Sequence, residues 1–573
     1  MSAVPAAHRG TAQVSVEARK SKNGILSRSM YLLENPVLQR ELLVNLRMAR
    51  GFVLLFAYVG LLGGLVYYAW PQQQTLDLTS TPEEARRLVN LFLLGQFVLI
   101  SLMAPSFAAG SITGEKERKT YELLLASPMR PGAIVLGKLL ASLVHLAVLL
   151  VATLPIVMLC LLLGGVHVAE LSATYVGMGA AVVTFGMVSL ACSSYFGRTA
   201  AALVVSYSFI LPLVLAAVMF YESFGSLPRL RLTVLAGAAP VGAAVVCGLL
   251  TAAIRRRLMH PPDVGAEAEE VVDLEEEQRD AVGMVIRHDQ FPDNLFAPPK
   301  RTDLMADQAN PVYDKEMRSE IFGRGTLMLR LVIQMSMALA LVVMAVCLYV
   351  YPQRAAWYTS YVILFNMLVG PVFAAGSVTN ERERQTLELL LTTLLSPWQI
   401  LAGKLAASLR ISAVLTGFLV WPILLAWLLP PWKLWHDTVA IVGYLAILAA
   451  TCLTTTTLAM FTSVLCRKTS TSMISAYGLV CLLFIGPVAA RLFGELISAS
   501  PEVMRWIDGA MVTSPFAAAH SLPLSAGDDP SSPPTRWGPA HAAPGFLVFA
   551  LATDLALLAS ILWLFHLRWR AVR

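Results

Sequence analysis

One block of this sequence occurs twice. Gly110 to Ser142 and Gly376 to Ser408 align without a gap and agree at 18 of 33 positions, where unrelated chains of ordinary composition agree at roughly one in fifteen. The register extends upstream through Pro105 and Pro371, Phe107 and Phe373, and Ala108-Ala109 and Ala374-Ala375. Earlier still, Asn35-Pro36-Val37 with Glu41 answers Asn310-Pro311-Val312 with Glu316. Whatever one copy folds into, the chain holds two of them in tandem.

The unit that is repeated belongs in a bilayer. Of 573 residues 57% are hydrophobic and only 14% are charged, more apolar surface than a water-soluble globule can bury. Runs of about 20 apolar residues, enough to cross about 30 Å of hydrocarbon, recur throughout. They fall near 52–70, 88–109, 139–163, 171–195, 200–221 and 231–254, then near 327–351, 356–378, 405–429, 437–465, 469–491 and 545–567. The expected fold class is all-α: a polytopic transmembrane helical protein of about twelve spans, built as a tandem duplication of a six-helix unit. The formal charge of +6 comes from short basic clusters beside apolar runs, such as Arg255-Arg256-Arg257. That pattern speaks for membrane topology and against a nucleic-acid partner. The seven cysteines lie in or beside apolar stretches with no CxxC spacing, so neither a disulfide framework nor a metal site is indicated. No apolar core of a cleaved signal peptide precedes Tyr31.

Basic residues sit mainly in the loops after spans two, four and six of each copy: Lys116, Arg118, Lys119, Arg130, Lys138 and Arg198 in the first, Arg382, Arg384, Lys404, Arg467 and Lys468 in the second. By the positive-inside rule these loops and both termini are cytoplasmic, in a plasma or inner membrane. Arg86, Arg87 and Lys433 on the other side run against the bias without reversing it. The expected organisation is a disordered cytoplasmic N-terminus over 1–30, a first six-span half over 31–257, an acidic Pro-rich cytoplasmic linker over 258–309, and a second six-span half over 310–573. The linker reads as a solvated spacer or as a regulatory segment. Tyr31 to Arg50, half polar and half apolar, reads as an interfacial helix or as an extension of the first span. The segment 492–544 reads as a recognition loop or as solvated chain.

The best-matched block lies outside the hydrocarbon. Thr113-Gly-Glu115-Lys-Glu117-Arg118-Lys-Thr120-Tyr-Glu122-Leu-Leu-Leu125 is answered by Thr379-Asn-Glu381-Arg-Glu383-Arg384-Gln-Thr386-Leu-Glu388-Leu-Leu-Leu391. Topology needs basic residues here, but it does not need glutamates in a fixed register. Drawn as one helix, Arg118 and Glu122, and likewise Arg384 and Glu388, stand four apart as ion pairs. Tyr121, Leu124 and Leu125 form an apolar stripe below them, matched by Leu387, Leu390 and Leu391. Such a helix lies at the membrane edge and offers its charged face to a partner.

Catalytic apparatus is not visible. Gly132-Ala-Ile-Val-Leu-Gly137-Lys138 nearly spells a phosphate-binding loop, yet Leu139 stands where magnesium requires a hydroxyl, no strand precedes it, and Trp398 replaces Gly132 in the other copy. Within the spans, Asp554, His145, Gln96 and Asn366 are candidate pathway residues, because a polar group in hydrocarbon is costly unless paired or hydrated. Packing against a neighbouring helix is the competing reading for Asp554 and, more strongly, for His145. Prolines inside spans read as gating kinks or as ordinary tolerance of Pro in membrane helices.

The repeated block and the six-span unit resemble the permease subunits of ATP-binding-cassette transporters of the ABC-2 class; the second copy departs from the block at Asn380, which stands where the first has Gly114. The resemblance implies a permease without an ATPase site of its own, with no cofactor in this chain and with ATP and Mg in partner subunits. Two ABC-type ATP-binding subunits and the lipid bilayer are then the partners. Coupling contacts to them fall on Glu115, Glu117, Arg118, Thr120 and Glu122, and on Glu381, Glu383, Arg384, Thr386 and Glu388. Export would follow from one half rocking against the other. A secondary transporter driven by an ion gradient also uses repeated halves, and it would rest on Asp554 and His145. A membrane scaffold without transport is a third reading.

Overall fold

The computed structural model describes residues 35–46, parts of 55–67, 82–127, 129, 131–161, 167–223, 228–259, 310–318, 326–347, 355–428, 438–496, 500–522 and 541–570. The N-terminus before Asn35, most of the 258–309 linker and about half of the expected first span lie outside the described residues. Among the described residues every regular element is a helix, and ten helices are long and apolar enough to cross a membrane. The expected span at 327–351 is helical over Thr326–Ala345, with a shorter apolar stretch at Ser336–Ala345.

In the first copy, helix α1 (Pro36–Leu46) precedes the spans. Span two is α2 (Pro82–Ala108), continued by α3 (Gly110–Glu117) and, after a turn, α4 (Tyr121–Leu125). Span three is α5 (Pro131–Ala152) with α6 (Leu154–Leu161), span four α7 (Val168–Tyr195) and span five α8 (Thr199–Ser223). The short α9 (Pro228–Thr233), a π-helical turn Val234–Ala238 and α10 (Ala239–Met259) make span six. In the second copy, α11 (Pro311–Arg318) and α12 (Thr326–Ala345) lead to span two, α13 (Ala355–Ala374), with α14 (Thr379–Glu383) and α15 (Leu387–Leu391) after it. Span three is α16 (Pro397–Leu428), span four α17 (Thr438–Leu465), and span five α18 (Thr469–Val480) with a π-helical turn Cys481–Ile485 and α19 (Gly486–Leu496). Then come α20 (Pro501–Ala510), α21 (Pro515–Ser521) and the last span, α22 (Ala542–Arg570).

The chain forms two compact units. One comprises the described residues of 1–64, 78–199 and 232–264, the other those of 65–77, 200–231 and 265–573. Nearly all of α8 therefore belongs with the second unit, where Met219 Sδ lies 3.7 Å from Cys347 Sγ. In each unit span four is the central helix. In the first, α7 packs against α2, α3, α5 and α10; in the second, α17 packs against α13, α16, α18 and α22. Helix α1 lies on α5 and α11 on α16.

Two expectations are corrected. The repeated block is not one continuous helix. Lys119 and Gln385 take left-handed backbone angles, φ 58° and 60°, and break it into α3 and α4, and into α14 and α15. The four-residue spacing of Arg118 with Glu122 and of Arg384 with Glu388 is thus interrupted, and helical i, i+4 pairing does not describe it. Of the two readings of the segment after α19, solvated chain does not describe 511–521, which packs into the fold, whereas α20 has no buried residue. Pro515, Ala517, Ala518 and Ala519 of α21 are buried, and the hydroxyls of Thr513 and Ser514 donate to the carbonyls of Leu483 and Phe484 at 2.8 and 2.6 Å. Those carbonyls belong to the π-helical turn just before Pro487, which supplies no backbone N–H. Residues 523–540 lie outside the described part.

Candidate functional site

The site is a clasp of side chains at the end of span two, and it is built once in each copy. It starts at the helix that precedes the spans. Asn35 caps α1, its Oδ1 accepting from Val37 N–H at 3.0 Å, while its Nδ2 donates to Ala133 O in the first turn of α5 at 2.7 Å. Proline at the first helical position suits that start, since it lacks an N–H that would otherwise be orphaned. Gly137 leaves room for the amide: a Cβ there would sit 2.8 Å from Asn35 Nδ2. In the second copy Asn310 Oδ1 accepts from Val312 N–H at 3.0 Å, its Nδ2 donates to Gln399 O at 2.7 Å, and a Cβ on Gly403 would lie 2.9 Å from Oδ1.

One turn past that contact a lysine is buried. Lys138 of α5, 2% exposed, donates to Ser111 O at 2.7 Å and lies 3.4 Å from both Glu41 of α1 and Glu115 of α3. Lys404 of α16 is ion-paired with Glu316 of α11 and lies 3.4 Å from Glu381 of α14. A 32-residue helix such as α16 is about 48 Å long, against about 30 Å of hydrocarbon, so a lysine two turns from its start stays clear of the bilayer centre. The ammonium is still desolvated; among the described residues two carboxylates and a carbonyl compensate it at Lys138, and two carboxylates at Lys404.

The turn after span two is closed by the backbone. Thr120 N–H donates to Glu115 O at 2.9 Å and Lys119 N–H to Lys116 O at 3.1 Å; Thr386 N–H and Gln385 N–H repeat this with Glu381 O at 2.9 Å and Arg382 O at 3.2 Å. This six-to-one and five-to-two pair is a Schellman ending, with a lysine or glutamine where glycine is usual. The hydroxyls of Thr120 and Thr386 donate to the second oxygens of Glu115 and Glu381. Each glutamate is thereby held by the turn on one oxygen and by the buried lysine on the other.

The remaining motif residues tie the turn to spans four and five. Lys116 donates to Ser194 O and Phe196 O at 2.7 and 2.9 Å, and Arg382 to Cys466 O at 2.5 Å, so a cation closes the C-terminus of α7 and of α17. Ser193 Oγ accepts from the N–H groups of Ile112 and Thr113 at 3.0 and 2.9 Å, and Ser463 Oγ from those of Val378 and Thr379 at 3.0 and 3.2 Å. Glu117 accepts from Thr199 N–H at 2.7 Å and Glu383 from Thr469 N–H at 3.0 Å, capping the first turns of α8 and α18.

The ten motif residues therefore separate by direction. Glu115, Glu381 and their threonine partners hold the turn itself, and Glu117 and Glu383 hold span five. Arg118, Glu122, Arg384 and Glu388 are exposed, as are Glu117, Glu383 and Thr386, whose bonds nevertheless run back into span five and the turn. Beside them Leu123 and Leu389, in matching positions, are each 73% exposed. Lys138, Lys404, Glu41, Glu316, Asn35 and Asn310 are read from sequence as repeat-register or topology residues and not as site residues, although all six lie in the duplicated register. A lysine near the start of a span reads as a topology anchor, and the signal available was its matched apolar neighbours, Gly137 and Leu139, Gly403 and Leu405. The near phosphate loop is the first two turns of α5, and its lysine is engaged by Glu41 and Glu115.

The span residues take separate places. Gln96 donates to Thr153 at 2.7 Å and accepts from Tyr175 at 3.2 Å, joining spans two, three and four of the first copy. Asn366 donates to Thr416 at 2.9 Å and accepts from Thr455 at 3.1 Å, joining the same three spans of the second copy. Asp554, 3% exposed, accepts from Thr457 at 2.6 Å and Thr454 at 3.2 Å. Its carboxylate is thus bound between α22 and α17. His145 stacks on Phe107 with ring centroids 5.3 Å apart.

The family model described as "ABC-2 family transporter protein" matches residues 36–235 and 266–567. No curated protein matches the chain.

Proposed function

This chain belongs to the ABC-2 transporter family, and from that premise we propose that it is the membrane permease of an ATP-driven exporter. Separate ATP-hydrolysing subunits, two in number, dock on the outward faces of its two clasps. The carrying observation is the separation of the motif by direction. In both copies the inward half ties the turn to spans three, four and five, while Arg118, Glu122 and Leu123, or Arg384, Glu388 and Leu389, stay exposed. An exposed leucine flanked by opposite charges suits a protein partner better than water or lipid. On this reading the clasps and both termini face the cytoplasm of a plasma or inner membrane, and ATP and Mg are held by the partners. Docking movements pass through Glu115, Thr120 and Glu117, and their second-copy counterparts, into the spans.

The test is co-purification of the tagged chain from its native membrane. Arg118→Glu with Leu123→Asp, combined with Arg384→Glu and Leu389→Asp, is expected to remove the associated ATPase activity. Changing one clasp alone is expected to halve the amount of bound ATPase subunit. Undiminished association in the fourfold variant would sink the proposal; full association in the one-clasp variants would sink the number two.

A further inference from the structure

The chemistry of the clasps assigns a part to two residues that no exposed surface requires. Lys138 and Lys404 are 2% exposed each, so they offer nothing to a partner and little to topology, which exposed Arg118 and Arg384 serve at less cost in desolvation. Each collects carboxylates from two elements that are far apart in the chain. Lys138 takes Glu41, 97 residues before it, and Glu115, 23 before it; Lys404 takes Glu316 and Glu381, 88 and 23 before it. The helices that bring the distant carboxylate keep Pro, Val and Glu in register and vary between them, Pro-Val-Leu-Gln-Arg-Glu in α1 against Pro-Val-Tyr-Asp-Lys-Glu in α11. A second cation in matching register also reaches each turn glutamate, at a different distance: Arg40 approaches Glu115 at 3.9 Å, whereas Lys315 meets Glu381 at 2.8 Å. The buried lysine between two carboxylates is common to both copies.

Resting on the reading that the turns receive the partner's movement, we infer that Lys138 and Lys404 are positioning residues. Each is an ionic pin through which displacement of the turn after span two reaches the helix before span one. Three separate elements, α1, α3 and α5 or α11, α14 and α16, meet at one ammonium. The glutamate of the turn and that of the preceding helix both bind it, so a change at one carboxylate alters the charge balance felt by the other.

The experiment uses the full chain alone in lipid nanodiscs and follows amide hydrogen exchange, so its outcome does not depend on any ATPase subunit. Glu41→Gln removes only the contribution of α1 and keeps the lysine paired with Glu115. It is expected to speed exchange in α1 and, through Lys138, in residues 110–125 by roughly fivefold or more. Lys138→Arg should preserve that transmission. In a Lys138→Met background, adding Glu41→Gln should leave 110–125 unchanged. Glu316→Gln read at 376–391 is the parallel test, with a larger effect expected because Glu316 is the closer partner. The inference is overturned if Glu41→Gln acts on α1 alone, or if its effect on 110–125 persists in the methionine background. If the Lys138→Met chain fails to fold, Lys138→Gln, which keeps a hydrogen-bond donor without the charge, serves as the background: an effect of Glu41→Gln on 110–125 that persists there overturns the inference, and its loss supports it.

Discussion

The two clasps carry the same bonds in different settings. In both, an asparagine caps the leading helix and reaches span three, a buried lysine bridges two glutamates, and a threonine hydroxyl holds the turn. They differ in how the lysine is shared. Lys138 stands at 3.4 Å from each of its glutamates, while Lys404 is drawn to Glu316 and stays 3.4 Å from Glu381, which has Lys315 at 2.8 Å as a second cation. Duplication has preserved a buried cation between two carboxylates, and with it a peripheral cation, Arg40 or Lys315, whose distance from the turn glutamate differs, 3.9 against 2.8 Å. The difference teaches that the pin is the constrained part and that its surroundings adjust the balance.

The largest expected effect comes from deleting a pin. Lys404→Met leaves Glu316 and Glu381 facing each other without the ammonium, a loss of about 3–5 kcal/mol by the general cost of breaking a buried pair. Lys138→Met should cost less, because both of its carboxylates stand at 3.4 Å, and thermal unfolding in nanodiscs gives the ordering. An equal shift in both variants would break the comparison. Next come the caps. Gly403→Ala puts a Cβ 2.9 Å from Asn310 Oδ1 and 3.0 Å from the backbone nitrogen of Tyr313. Gly137→Ala meets only the Asn35 side chain, which can rotate away. A loss of about 0.5–2 kcal/mol is expected from the disturbed cap, greater at 403, read as faster exchange in α11 than in α1.

A smaller effect of opposite sign is expected at the turns. Lys119 and Gln385 occupy nearly identical left-handed angles, and Lys119→Gly and Gln385→Gly should each stabilise by about 1 kcal/mol through relief of Cβ crowding. Here the copies should agree, and slower exchange at 110–125 and at 376–391 measures it. Smallest of all, Arg118→Ala and Arg384→Ala should change stability by less than about 0.5 kcal/mol, as exposed residues do, while lowering association with the ATPase subunits. A large stability loss at either would mean that the residue holds the clasp together.

Much of this was legible before any fold was known. Apolar runs of span length marked the helices, because satisfying every backbone group inside a bilayer leaves a long apolar segment little choice but a helix. The register of the glutamates at 115 to 122 and 381 to 388 is legible in the sequence, yet the directions of their side chains are not. Helical periodicity was extended across Lys119 and Gln385, where a residue other than glycine in the left-handed region gives no local warning. Asp554 was marked by its charge alone; its hold by Thr454 and Thr457 depends on α22 lying against α17, about 100 residues earlier, as the separation of the Thr454 contact gives.

By itself the sequence determined that this protein is a duplicated membrane bundle with a retained charged block after span two of each copy. Span length, hydropathy and internal identity are properties of neighbouring residues and survive without tertiary contacts. Only the tertiary structure decided which of those charges turn inward, that α8 belongs with the second compact unit, and that Lys138 and Lys404 are buried pins and not surface anchors. An ammonium is placed by the carboxylates that approach it. Those carboxylates come from helices tens of residues away, brought together by packing that no local period records.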